Sequence, residues 1–220
     1  MSKPKRRRAY DASGRQRRAL ENQERVLDAA RRLFAERGYA ETTLEAVASE
    51  AGVSLPTLYA TFQSKRGVLS GVMHRLVSGQ PGSPPLLQTA GPRAVGSEPD
   101  PRRALHLLVI DLTGVQERVI PIYEVMKNAA RTEPEIAQQL AGMQEYRFKN
   151  LETFAVRLAE LKALRPGLTV EDASRTLWAI ASPEVRRMLL AVEGWTPERY
   201  RAWLEQTLAA ALLRPLGERS

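Results

Sequence analysis

The sequence predicts an all-α fold, with a three-helix head built on a helix-turn-helix and a larger helical domain behind it. Three observations predict this. Apolar residues recur at helical spacing along most of the 220 residues, and no stretch alternates with the period of two that marks a strand. Gly and Pro fall mostly between the periodic stretches, where helices end. The stretch from Thr42 to Leu69, TTLEAVASEAGVSLPTLYATFQSKRGVL, reads as two short helices joined by a tight turn.

Residues 1–18 hold eight Lys/Arg and one Asp, which is net +7 of the chain's +8. With too few apolar residues to bury a face, they are expected to be a disordered basic arm. Residues 19–78 form the head. Its first helix is predicted over 22–37, with Val26, Leu27, Ala30, Leu33 and Phe34 on one face. Gly38 ends it and Tyr39 folds back. Thr42 is expected to cap the second helix, with Glu45 completing a capping box. Leu44, Val47, Ala48 and Ala51 make its apolar stripe, and Gly52 supplies the left-handed residue of the turn. Ser54 caps the third helix, and Pro56 occupies its first turn, where a missing N–H costs little. Leu58 and Phe62 point inward, leaving Thr57, Tyr59, Ala60 and Thr61 facing out. A fourth helix is predicted over Lys65–Ser78.

Residues 79–101 contain ten Pro or Gly among 23 and read as a linker without elements. Residues 102–214 are helical again. Leu105, Leu108, Val109, Leu112 and Val115 define one helix, with Pro121 expected to kink it or start a new turn. Pro134 opens a long helix that Arg165-Pro166-Gly167 ends. A helix from Thr169 or Val170 carries Leu177, Ala181, Val185, Met188, Leu189 and Val192 to Gly194. Pro197 opens the last, with Tyr200, Trp203, Leu204, Leu208 and Leu212 on one face.

The segment SLPTLYATFQSKRGVL resembles the recognition helix and following turn of tetracycline-repressor (TetR) family regulators. VLDAARRLFAERGYAETTLEAVASEAGVS is similar to the two helices before it in that family. The resemblance covers roughly the first third of the chain. It implies a DNA-binding site of Thr43, Ser54, Leu55, Pro56, Thr57, Tyr59, Ala60, Thr61 and Lys65, with Lys65 gripping the DNA backbone. Thr43 and Tyr59 would join it on phosphates, while Thr57, Ala60 and Thr61 would meet base edges. The family often has His or an aromatic beside the Tyr, where this chain has Ala60 and Thr61. The resemblance therefore implies DNA binding but not which bases are read.

The last two predicted helices also resemble the C-terminal pair through which many family members dimerise. This implies an interface of Leu177, Val185, Met188, Leu189, Tyr200, Trp203, Leu204 and Leu208. All three Trp (Trp178, Trp195 and Trp203) lie in this pair, and aromatics and Met favour buried interfaces. The family binds a small, mostly apolar effector inside the C-terminal domain, and binding lowers DNA affinity. His106, Tyr123, Met126, Met143, Tyr146, Phe154 and Trp178 are the candidate lining, being apolar with a few polar tips.

Other classes are thinly supported. With no Cys, disulfides and thiolate metal sites are excluded. The imidazoles, His74 and His106, have no partner at metal-ligand spacing. There is no G-x-S-x-G, Gly-rich phosphate loop or H-E-x-x-H, so no enzyme activity, metal or cofactor is expected. No apolar run approaches ~18 residues, and the basic N-terminus lacks an apolar core, so neither membrane span nor secretory signal is expected and a cytoplasmic location follows. The expected partners are double-stranded DNA, a second copy of the chain and a small apolar effector. The function expected is a homodimeric regulator, most simply a repressor, on a near-palindromic operator. The alternative is a constitutive or architectural DNA-binding protein whose C-terminal domain only dimerises, which the long linker favours.

Overall fold

A computed structural model of the chain describes residues 12–79 and 86–215. Among these, ten α-helices follow one another: α1 (Ala12–Glu41), α2 (Leu44–Ala51), α3 (Leu55–Phe62), α4 (Lys65–Ser78), α5 (Ala90–Ser97), α6 (Pro101–Ala129), α7 (Pro134–Glu160), α8 (Val170–Ile180), α9 (Pro183–Arg187) and α10 (Pro197–Leu212). The described residues hold no strand, only an isolated antiparallel bridge between Leu164 and Leu213. They divide into two compact units, up to Val72 and from Met73 onward.

In the first unit, the period-3.6 residues of α1 are buried as their spacing requires, with Val26, Leu27, Ala30, Leu33 and Phe34 all under 5% exposed. The helix starts ten residues earlier than the apolar pattern. Ala, Arg, Gln, Leu and Glu between 12 and 22 are good helix formers, and an Arg17–Glu21 pair at 3.7 Å adds an i,i+4 contact. Residues 12–18 of the expected disordered arm are therefore helical, while 1–11 lie outside the described residues. Gly38, at φ 78°, interrupts the helix where a stop was expected. Tyr39 then stacks on Phe34 at 5.9 Å.

The cap of α2 falls one residue later than expected. Thr43 accepts the Ala46 N–H at 3.1 Å, whereas Thr42 is fully buried. The Thr42 hydroxyl donates to the Gly38 carbonyl at 2.8 Å and lies 3.2 Å from that of Leu33. Its task is to satisfy backbone oxygens freed by the break at Gly38.

The second unit departs from the sequence reading at three places. The expected linker 79–101 contains a 3-10 turn at Leu86–Gln88 and helix α5. Only residues 80–85 of it lie outside the described residues. One apolar side chain, Val95, anchors α5 by joining the core at 6% exposure. The start of α5 approaches α6 so closely that a Cβ on Gly91 would overlap the Asp111 carboxylate. Second, α6 runs unbroken through Pro121. Val119, Ile122, Tyr123 and Met126 are buried around the Pro, so packing holds the helix across the lost hydrogen bond. Third, the helix expected from 170 to 192 breaks at Ala181-Ser182. Ser182 caps α9 by accepting the Val185 N–H at 3.2 Å, and Pro183 sits in its first turn. A π-turn over Met188–Val192 follows.

The core of this unit gathers Leu105 and Val109 of α6, Phe154 and Leu158 of α7, Leu177 of α8, and Tyr200, Leu204 and Leu208 of α10. Burying each large apolar side chain contributes about 1.5–3 kcal/mol. No helix among the described residues is long and apolar enough to cross a membrane.

Candidate nucleic-acid interface

Helices α2 and α3 are fixed by caps at both ends. Gly52, at φ 63° and ψ 38°, returns its N–H to Ala48 and Ser49 carbonyls and turns the chain toward Val53. Ser54 starts α3, accepting the Thr57 N–H at 3.3 Å and pairing with the Thr57 hydroxyl at 2.7 Å. Two side chains tie this pair to α1. Arg25 Nε donates to the Ala51 carbonyl at 3.0 Å, and Arg32 pairs with Glu50 at 2.8 Å.

The faces of α3 sort cleanly. Leu58 is 1% exposed and Phe62 9%, both in the head's core. Pro56, Thr57, Tyr59, Ala60 and Thr61 face solvent, and Leu55 is half-buried. Tyr59 keeps 45% of its surface exposed. The Thr61 hydroxyl donates to the Thr57 carbonyl at 3.1 Å. Thr43 is exposed while capping α2.

The turn between α3 and α4 is tight. Gln63 takes φ 63° and ψ −32°, a region that non-Gly residues rarely occupy. Its N–H reaches the Tyr59 carbonyl at 2.9 Å, closing α3. Gly67 lies against the Phe62 carbonyl, which a Cβ there would overlap. The sequence pattern gave no signal for either feature, since Gln is no turn residue and Gly67 sits inside a helix.

Lys65 is only half-exposed. Its ammonium donates to the Tyr39 carbonyl at 2.8 Å and the Ala40 carbonyl at 3.2 Å, and lies 4.4 Å from the Tyr39 ring centroid. It thus caps the end of α1, a structural task that spacing did not suggest. An ammonium has three donors, so one remains for a phosphate.

The expected effector lining is scattered. Met126, Tyr123 and Phe154 are buried, at 0%, 4% and 3% exposure, and Met143 is half-buried. Tyr146 is 47% exposed and Trp178 36%. His106 faces outward, with Nδ1 2.9 Å from Glu205, so it belongs to a surface pair and not to a lining. What the structure brings together instead is a polar cluster that sequence reasoning missed. The Tyr123 hydroxyl donates to Glu184 at 2.7 Å and accepts from Gln144 at 2.6 Å. Lys127 pairs with Glu184 at 3.3 Å. Arg147 donates to the Trp178 and Ala181 carbonyls at 2.7 and 2.8 Å, and Gln116 donates to Ala181 at 2.7 Å. Burial holds the Arg147 guanidinium down to about 10. Burial, then the Glu184 hydrogen bond, pushes the Tyr123 phenol up. The trace it leaves in the sequence is polar Gln, Tyr and Arg within α6 and α7, which identifies no cluster until their partners on other helices are placed.

The expected dimer residues also divide. Leu177, Leu204 and Leu208 are fully buried and Tyr200 is 1% exposed, all within this chain's own core. The i, i+4, i+8 series of Tyr200, Leu204 and Leu208 is the inner stripe of α10, so a partner cannot reach it. Met188, at 49%, and Val192, at 65%, are exposed, and Val185, Leu189 and Trp203 are half-buried.

The fold and this head together define a helix-turn-helix protein with a separate helical domain. Residues 26–72 match the family described as bacterial regulatory proteins, tetR family. Over 49 residues the chain is 43% identical to the uncharacterised HTH-type transcriptional regulator YerO of Bacillus subtilis (strain 168); that stretch is 22% of this chain and 17% of YerO. The fold matches NalD, the secondary repressor of the MexAB-OprM multidrug efflux pump in Pseudomonas aeruginosa, with TM-score 0.66, 21% identity, and coverage of 89% of this chain and 98% of that one. It also matches a TetR transcription regulator from Haloarcula marismortui ATCC 43049, with TM-score 0.64, 19% identity, and coverage of 87% and 98%. Residues 26–72 thus carry a head of the tetR type, and the likeness to the solved structures shows the fold of the whole.

Proposed function

We propose that the chain is a sequence-specific DNA-binding transcriptional regulator, a homodimeric repressor whose operator is a near-palindrome. One observation carries this reading: α3 hides Leu58 and Phe62 and presents Thr57, Tyr59, Ala60 and Thr61 on one exposed face. A short helix so presented fits a major groove. Ala60 and the Thr methyls suit thymine methyl groups, while Tyr59, Thr43 and the spare donor of Lys65 suit phosphates. Ser54, Leu55 and Pro56 bring the start of α3 to the backbone. The repressor direction draws support from NalD, which is named as a repressor.

One such helix reads too few base pairs to select a genomic site, so two heads must act together. The dimer surface we assign is Val185, Met188, Leu189 and Val192 with the outer side of Trp203, since the buried Leu residues of α10 are excluded. A small effector in the C-terminal domain would lower DNA affinity by binding the DNA-incompetent state more tightly. The scaffold alternative loses its main support, because α5 and the polar cluster stand where a bare linker and an apolar core were expected. Selection from a randomised duplex pool tests the function. Enrichment of a two-fold sequence, lost in Tyr59→Ala and Thr57→Ala, is expected. A pool that stays unenriched would overturn the reading.

A further inference from the structure

The polar cluster of the second unit carries an imbalance of charge. Arg147 of α7 donates from one nitrogen, Nη2, to both the Trp178 and the Ala181 carbonyls. Its other terminal nitrogen, Nη1, is buried without a hydrogen-bond partner. Arg186 of α9 has a buried, unpartnered Nε and lies 5.9 Å from the Tyr200 ring. Gln116 links the two: it donates to the Ala181 carbonyl that Arg147 also meets, and its Oε1 accepts from the Tyr200 hydroxyl at 3.3 Å, on the ring that Arg186 faces. Among the described residues neither makes a close ion pair; the carboxylate of the cluster, Glu184, acts on Arg147 only at longer range and is already engaged by Tyr123 and Lys127. Three cations, Lys127, Arg147 and Arg186, thus share one carboxylate.

Two further atoms point the same way. Gln144 Oε1 and Asn150 Nδ2 are buried without partners, three residues either side of Arg147 on α7. Positions 144, 147 and 150 share one side of a helix. A buried cation that lacks a counter-charge is costly, and a buried polar atom without a partner requires an explanation. An anion answers both. Beside Arg147, the Trp178 ring lies 5.5 Å from the guanidinium carbon and is partly exposed, which offers an apolar surface next to the charge.

We propose that Arg147 and Arg186 anchor the carboxylate of an amphipathic organic acid, whose apolar body packs on Trp178. This deepens the effector half of the proposed function and rests on it. The site fits a monoanion better than a neutral or cationic molecule, because only an anion reduces the surplus charge. Arg147 also clasps the carbonyls at the break between α8 and α9, so an acid drawing on Nη1 would act directly on that break.

The test uses the full chain and paired probes: benzoate, phenylacetate and octanoate against benzamide, phenylacetamide and octanamide. Binding is read by calorimetry and by quenching of tryptophan fluorescence in a Trp195→Phe/Trp203→Phe background, which leaves Trp178. At least one acid is expected to bind tenfold or more tightly than its amide, with that preference lost in Arg147→Gln and reduced in Arg186→Gln. Arg147→Lys keeps the charge and should retain part of the preference, which separates anion recognition from loss of fold. Acids that bind no better than their amides across the panel, or a preference that survives Arg147→Gln, would overturn the proposal. Operator binding without any probe reports separately on the head. A chain that selects its operator yet ignores every acid refutes this site and leaves the regulator reading intact.

Discussion

Lys65 commits two of its three donors to the Tyr39 and Ala40 carbonyls. Lys65→Ala should therefore have two effects. It should lower the head's stability by about 1–2 kcal/mol, through lost charge-assisted hydrogen bonds, and reduce the salt slope of DNA binding by about one unit. Tyr59→Ala should differ. Tyr59 is exposed, so stability should change by less than about 0.5 kcal/mol while affinity falls. Denaturant melts beside gel shifts over a salt series separate the pair; equal melts for both variants would remove the structural role given to Lys65. Gly67→Ala should cost about 1–3 kcal/mol, because the added Cβ overlaps the Phe62 carbonyl and the α3–α4 turn must open. A melt within error of wild type would show that the turn yields freely. Thr42 and Thr43 show the limit of sequence at this scale. Either could cap α2; the choice depends on where the broken carbonyls of Leu33 and Gly38 lie, a fact of tertiary structure.

At the scale of elements, periodicity made α1 to α4 and the long α6, α7 and α10 legible, because each buries one stripe against a neighbour. What it could not separate is which stripe stays inside the chain. Tyr200, Leu204 and Leu208 of α10 face inward, and only the structure shows Met188 and Val192 of the preceding π-turn outside. Leu204→Glu should thus unfold the second unit, since a buried unpaired carboxylate costs several kcal/mol. Val192→Asp and Met188→Asp should keep their helix content and change only assembly. Circular dichroism with sedimentation distinguishes these outcomes; a well-folded Leu204→Glu would contradict its place in the core. Composition alone hid α5. Ten Pro and Gly in 23 residues spell a linker, but one buried Val95 and close approach to Asp111 hold a helix there. The α8–α9 break was legible in Ala-Ser-Pro-Glu, a cap followed by Pro, yet the apolar period ran through it. The polar cluster was hidden for a related reason, because Gln, Tyr and Arg at inward positions are recognised only when their partners on other helices are placed.

For the whole molecule, charge and symmetry matter most. Nearly all of the net charge lies in residues 1–18, and α1 presents Arg15, Arg17 and Arg18 to solvent. Deleting residues 1–11 removes five Lys/Arg and one Asp, and should weaken binding to all duplexes alike while leaving sequence preference in place. Filter binding at low salt to matched and scrambled duplexes checks this; an unchanged affinity would make the segment a tail. Two heads of this chain are proposed to read one operator. Hydroxyl-radical footprinting of the full chain on its selected duplex tests this most directly. Two protected half-sites related by a dyad, with centres about 34–36 Å apart or a further turn beyond, are expected. They should vanish together in Val192→Asp, the folded variant meant to be monomeric. A single unsymmetrical footprint, or full two-site protection by that monomer, would contradict the account.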